Sequence, residues 1–177
     1  MTVPEYIQLK AFARVDGALL AVLWTVSFAC YVMGFESPAL GIVAMGLAIA
    51  TPFFVARRLK KYRDTGLEGQ ISFKRAWGYA LLTFFYASVL FAAVHFVYFT
   101  WMDKGYFLSG LTKMMTAPEN AQALGSGMLA TVTQSLQMMA RMRPIDLALN
   151  LMMSNMMIGF FLSVPVAAAM KKVKGER

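Results

Sequence analysis

The residues of this sequence that are best suited to chemistry are few, and three of them fall inside long apolar segments. His95 is the only histidine, and Asn150 and Asn155 lie in a later apolar segment. At 1.5 Å of helix per residue, all three fall at similar depths below the same end of their segments. Polar side chains inside membrane bundles commonly hydrogen-bond between helices. We therefore predict an intramembrane polar cluster of His95, Asn150 and Asn155, which either holds helices together or contacts a substrate.

The sequence offers no set of residues for catalysis or for metal binding. No paired carboxylates, no H-E-x-x-H motif and no nucleophile with a nearby base occur in the apolar segments. The only cysteine, Cys30, lies in an apolar segment, where a buried thiol is inert. Ten of the fifteen methionines fall between Met114 and Met157, but they lack the His or Cys support that a copper site needs. We expect a non-enzymatic protein without a cofactor, in which these methionines fill packing gaps or form an adaptable surface for a partner.

The elements that must position these residues follow from composition. The chain has 177 residues, of which 59% are hydrophobic and 15% are charged, against about 45–50% and about 25% in soluble domains. Four segments, at about 17–35, 37–56, 76–102 and 147–170, contain no Asp, Glu, Lys or Arg. A membrane-crossing helix needs about 20 apolar residues and satisfies its own backbone hydrogen bonds. The sequence predicts an all-α membrane protein with four transmembrane helices in one domain, 1–177.

Basic residues predict the orientation of these helices. Thirteen of the seventeen Lys and Arg residues lie in the N-terminal arm, in the link 57–75 and in the C-terminal tail. The positive-inside rule therefore places both termini and this link in the cytoplasm. Because the charges flank spans instead of forming a domain, we expect no nucleic-acid partner, although the net charge is +8. The residues that could contact anionic lipid headgroups are Arg57, Arg58, Lys60 and Lys61, though topological anchoring explains the same charges.

Two pairs of segments resemble each other. The pattern F-x-R-x-x-G occurs at 12–17 and at 73–78, before the first and third spans. Pro52 and Pro165, near the ends of the second and fourth spans, each follow a glycine by six residues and precede basic residues. This indicates either two tandem hairpin repeats or shared membrane constraints. Each proline frees a backbone carbonyl, so each is a candidate hinge or a static kink.

Small residues form a ridge on the fourth span at every fourth position. The ridge consists of Asn155, Gly159, Ser163 and Ala167. Small residues let helix backbones approach closely in membranes. We expect this face to pack inside the bundle or against a second copy.

The long loop 103–146 between spans three and four is predicted to be a helical insertion outside the cytoplasm. Thr116 to Glu119 reads as a capping box, with Pro118 at a permitted early position. The apolar residues after it recur every three or four positions: Ala121, Leu124, Met128, Val132, Leu136, Met139 and Met142. This pattern predicts an amphipathic helix that lies on the outer membrane surface or covers the bundle.

Several of these segments together resemble a known family. They are the basic run R-R-L-K-K-Y-R at 57–63, the motif I-S-F-K-R-A-W-G at 71–78 and the span end Y-F-T-W-M-D at 98–103, followed by a methionine-rich insertion. The chain is similar in these features to domain of unknown function 4199, a family of four-span inner-membrane proteins found mainly in Bacteroidota. The resemblance implies a bacterial inner membrane and brings no functional residue with it.

Two functions remain open on the sequence. The leading hypothesis is a non-enzymatic partner or scaffold subunit of the cell envelope, which binds another protein or a second copy of itself. The alternative is a small transporter or a lipid-handling protein. A membrane cavity lined by His95, Asn150 and Asn155 would favour the alternative, and a bundle packed solid through its middle would exclude it.

Overall fold

The computed structural model describes residues 2–172, and helices account for most of them. They are α1 (Val3–Met33), α2 (Pro38–Gly66), α3 (Phe73–Val97), α4 (Tyr106–Thr116), α5 (Pro118–Met139) and α6 (Pro144–Met170). A π-helical turn, Tyr98–Met102, continues α3. The described residues form no strand; a single antiparallel bridge pairs Ile71 with Lys172.

Four helices are long and apolar enough to cross a membrane. They are α1, α2, α6 and α3 with its π turn, and they contain 27 to 31 residues each. Large apolar side chains such as Phe53 and Phe161 point outward, with 70% and 66% of their surfaces exposed. Hydrocarbon is the environment that suits so many exposed apolar groups. The predicted fold class, an all-α protein with four transmembrane helices, is confirmed.

Two of these helices continue beyond the charge-free segments. α1 begins at Val3, fourteen residues before Gly17, and α2 continues to Gly66, ten residues past Ala56. A charge excludes a residue from hydrocarbon but not from a helix, so the helices extend into the polar region. The start of α1 is fixed by Thr2, whose hydroxyl accepts from the Glu5 backbone while the Glu5 carboxylate accepts from the Thr2 backbone.

Helix α3 lies at the centre of the bundle, with α1 and α6 packed along it. A Cβ added at Gly17 would lie 2.7 Å from the Cβ of Tyr86, and one added at Gly159 would lie 2.6 Å from the Cβ of Phe84. These glycines therefore let α1 and α6 approach α3 closely. Ser163 is fully buried on the same side of α6. The predicted small-residue ridge of α6 thus packs inside the bundle.

The N-terminal arm, the α2–α3 link and the C-terminal residues meet at one end of the bundle, which we call the basic end. The side-chain amide of Gln8 donates to the carbonyl of Gly66 at 3.3 Å, and Arg63 donates to the carbonyl of Met170 at 3.2 Å. The bridge between Ile71 and Lys172 joins the α2–α3 link to the C-terminal residues. Helices α4 and α5 lie at the other end, which we call the hairpin end. Lys174 and Arg177 of the basic tail lie outside the described residues.

The insertion at the hairpin end forms two helices, and the predicted capping box is wrong. Thr116 is the last residue of α4 and donates its hydroxyl to the carbonyl of Thr112 at 2.8 Å. Because that hydroxyl is engaged within α4, α5 begins one position later, with Ala117 as its N-cap. α5 packs against α4 and buries only Leu136 among its own residues. Its position on the outer membrane surface stays a prediction.

Candidate functional site

A cavity of about 680 Å³ lies in the half of the bundle nearer the hairpin end. All four spanning helices and α4 line it, and its volume falls within the range of ligand-binding pockets, about 300–1,000 Å³. His95 from α3 and Asn155 from α6 are among the lining residues. Asn150 is not, and it is exposed. The structure thus brings two of the three predicted polar residues to one site.

The cavity opens sideways between α2 and α6. These two helices pack together less extensively than α1 with α2 or α3 with α6. Met45 of α2 and Ile158 of α6 line the cavity and are also 60% and 55% exposed, so they mark its mouth. Because both helices are spanning segments, the mouth faces the apolar surroundings of the bundle.

The wall of the cavity is strongly aromatic around His95. The imidazole is 3% exposed, and the ring centroids of Phe28, Phe91 and Phe99 lie 4.6, 4.0 and 6.0 Å from its own. Its Nδ1 atom is buried without a hydrogen-bond partner. Leaving a buried polar group unsatisfied costs about 1–3 kcal/mol. The imidazole can therefore gain from a polar atom placed in the cavity. No hydrogen bond joins it to an asparagine in the part of the chain that the structure describes.

Three of the other polar side chains that line the cavity are engaged within the protein, whereas the Tyr31 hydroxyl and the Asn155 side-chain amide make no hydrogen bond in the described residues. The indole of Trp24 donates to the hydroxyl of Thr51 at 3.1 Å, and Ser27 donates to the carbonyl of Ala44 at 3.0 Å. Among residues 2–172, no Asp, Glu, Lys or Arg lines the cavity. The lining is thus uncharged and largely apolar.

The two predicted hinges lie inside continuous helices, and each is close to a tryptophan contact. Thr51, which accepts from Trp24, immediately precedes Pro52. The hydroxyl of Ser163, two residues before Pro165, accepts from the indole of Trp77 at 2.9 Å. Each contact ties a proline-containing segment to a neighbouring helix. Whether either proline acts as a hinge stays a prediction.

Sequence reasoning missed an ion pair that lies towards the basic end. Asp16 of α1 is 2% exposed, and its carboxylate accepts from the guanidinium of Arg58 and from the hydroxyl of Tyr79. The Tyr79 ring stacks on Tyr62, with centroids 4.9 Å apart and planes 7° from parallel. Asp16 immediately precedes Gly17, the first residue of the first charge-free segment. Asp16 therefore fell outside the predicted span. Within the F-x-R-x-x-G pattern it occupies an unspecified position, which gave no indication of a partner.

Arg75 extends this polar network across three helices. Its guanidinium donates to Glu5 at 3.1 Å, to Gln8 at 3.3 Å and to the Tyr62 hydroxyl at 3.2 Å. Leu9 of α1 and Val55 and Leu59 of α2 belong to the same buried apolar cluster as Tyr62. The cavity therefore ends before the basic end, where the bundle is tightly packed.

The candidate lipid contacts on α2 divide into two groups. Arg58 is held by Asp16 and keeps only 25% of its side chain exposed. Arg57, Lys60 and Lys61 are exposed. Of the four candidates, these three are the ones fully available to anionic headgroups. Among residues 2–172, no group of three His, Cys, Asp or Glu side chains is placed to hold a metal ion.

Comparison with protein-family models gives a match that covers most of the chain. No curated protein and no solved structure matches the chain. A family model described as "Protein of unknown function (DUF4199)" matches residues 16–172. That range begins at Asp16 and contains all the lining of the cavity as well as Arg58 and Tyr79. With nearly the whole chain matched, this protein belongs to the DUF4199 family.

Proposed function

We propose that this protein handles lipid, binding a lipid-like molecule in the cavity between α2 and α6. The observation that carries the proposal is the cavity itself, about 680 Å³ inside the bundle with a mouth on its side. A bundle packed solid through its middle would have excluded such a role. Here the packing is tight only towards the basic end.

The chemistry of the cavity suits a lipid better than a water-soluble substrate. Its lining is largely apolar and carries no charged side chain. A hydrocarbon chain can enter between α2 and α6 without leaving the membrane interior, so no desolvation cost opposes its entry. Inside the cavity, the chain exchanges van der Waals contacts with other lipids for contacts with the apolar side chains of the lining.

The proposal also includes the orientation of the protein and the membrane in which it lies. The basic residues support termini in the cytoplasm, and the resemblance to the family supports a bacterial inner membrane. The cavity would then lie in the outer half of that membrane, below α4 and α5. A lipid-handling protein placed in this way would exchange its ligand with the outer leaflet.

Native mass spectrometry of the protein released from mild detergent tests this proposal. We expect a lipid adduct on the unmodified protein. Ala48→Trp, which fills the cavity near its mouth, should remove the adduct. Gly46→Trp is the matched control, because Gly46 lies on the same helix, does not line the cavity and has open space beside it. Absence of any adduct, or equal loss in both variants, would contradict the proposal.

A second candidate function is a partner or scaffold subunit, which one observation favours. Helix α5 leaves Met128 59% and Met138 53% exposed, and methionine surfaces adapt readily to protein partners. A photo-crosslinking residue at position 128 should capture a partner protein or a second copy, and one at the lipid-facing Phe161 should not. Equal labelling at both positions would argue against this role.

A further inference from the structure

We infer that the cavity takes an uncharged lipid whose polar end carries a hydroxyl or carbonyl oxygen, and that this end lies beside His95. The inference rests on the proposed function and names its ligand class. It starts from His95, whose imidazole lines the cavity and makes no side-chain hydrogen bond in the described residues. Buried polar groups normally have a partner, so a ligand atom in the cavity is the natural complement to this ring.

Among the other polar groups of the lining, Trp24, Thr51 and Ser27 make hydrogen bonds within the bundle. The hydroxyl of Tyr31 makes none in the described residues. Asn155 lines the same cavity from α6 and is half-buried. The polar end of a ligand therefore meets an imidazole on one wall, and an amide is available on another.

The lining also decides the charge of the ligand. A carboxylate or phosphate in this cavity would be buried without a cation, since no Lys or Arg lines it, and an unpaired buried charge is strongly unfavourable. A pure hydrocarbon would leave the imidazole unsatisfied. A hydroxyl can donate to or accept from the ring nitrogens, and a carbonyl can accept from the ring N–H. An uncharged oxygen is thus the head group that fits.

The aromatic residues around His95 hold the imidazole in place. Phe28 meets the ring edge to face, with planes 84° apart. Phe91 lies one turn before it on α3, and Phe99 lies one turn after it in the π-helical turn. A ring fixed by packing loses little freedom when it forms a hydrogen bond. The ligand's polar end can therefore be positioned by one contact.

Trp24 lines the cavity and can report on binding. We would use protein in which Trp77→Phe and Trp101→Phe leave Trp24 as the only indole, reconstituted in lipid nanodiscs. Quenching of Trp24 is measured with four long-chain probes brominated at the same position: an alcohol, a methyl ester, a carboxylic acid in its ionised form, and a hydrocarbon. The alcohol and ester arms distinguish a hydroxyl from a carbonyl ligand.

We expect saturable quenching by the alcohol or the ester, about five-fold tighter than by the hydrocarbon, as one net hydrogen bond provides. His95→Phe keeps an aromatic ring and should abolish the preference for the alcohol or ester over the hydrocarbon. His95→Gln, which keeps a hydrogen-bonding group, should retain part of that preference. Phe91→Leu also alters the lining of the cavity and should change the affinities of all four probes by similar factors.

The inference is overturned if the hydrocarbon binds as tightly as the alcohol and ester, if the ionised acid binds tightest, or if His95→Phe leaves the preference intact. In each of those cases lipid binding itself still stands. If no probe gives saturable quenching, the proposed function fails together with the inference.

Discussion

The ion pair between Asp16 and Arg58 gives the sharpest test of how this bundle is held together. Asp16 is 2% exposed, whereas a quarter of the Arg58 side chain reaches solvent. Arg58→Met therefore leaves a buried carboxylate with only the Tyr79 hydroxyl as its partner. Asp16→Asn leaves a guanidinium that can turn towards water. We expect the arginine substitution to be the more damaging of the two.

The expected magnitudes follow from this asymmetry. Breaking a buried pair by removing one partner costs about 3–5 kcal/mol, and the partial exposure of Arg58 places Arg58→Met near the lower end, about 3 kcal/mol. Asp16→Asn should cost about 1–2 kcal/mol, close to a lost hydrogen bond to a charged group. The double variant should cost less than the sum, with a coupling of about 1–3 kcal/mol.

The free energy of unfolding can be measured by titrating detergent-solubilised protein with a denaturing detergent and following its helical circular dichroism. Arg57→Met is the matched control, since Arg57 is exposed on the next residue of α2, and it should stay within about 0.5 kcal/mol of the parent. The reasoning is refuted if Arg58→Met costs no more than Arg57→Met, or if Asp16→Asn costs more than Arg58→Met.

Two further predictions concern a glycine contact and a tyrosine. Gly159→Ala should destabilise the bundle by about 1–3 kcal/mol in the same unfolding assay, because the new methyl group would collide with Phe84. Gly46→Ala, with open space beside it, should not destabilise it, and equal effects of the two would contradict the packing argument. At the hairpin end, the Tyr106 hydroxyl donates to Glu36 at 3.0 Å, which raises the pKa of Tyr106 because the phenolate would lose that bond and be repelled by the carboxylate. Glu36→Gln should lower this pKa towards its ordinary value in an ultraviolet titration, and an unchanged pKa would show that the contact does not form.

Much of the fold could be predicted because membrane insertion of a segment depends on the summed hydrophobicity of its consecutive residues. The absence of charge over about 20 residues identifies a span whatever its neighbours are. Four such segments gave four spanning helices. The outer insertion was harder, because a capping box depends on which residue starts the helix. A shift of one position engaged Thr116 within α4 and left Ala117 as the cap of α5.

The candidate site was only partly predictable, and the reason is geometric. Asn150 and Asn155 are five residues apart, which is a turn of about 140° around a helix. They therefore point in different directions, and only Asn155 reaches the cavity with His95. The similar depth of these three residues in the membrane predicted one cluster. Depth, however, does not determine the direction in which a side chain points around the helix axis.

By itself the sequence determined where the chain crosses the membrane and that its basic segments lie at one end. The tertiary structure alone decided which helix faces meet. Spanning helices that are apolar on every side carry no amphipathic stripe to mark their inner face. The Asp16–Arg58 pair joins residues 42 positions apart and the Asp16–Tyr79 bond joins residues 63 apart. The cavity is lined by residues from all four spanning helices and from α4, so it is a property of packing that no segment holds alone.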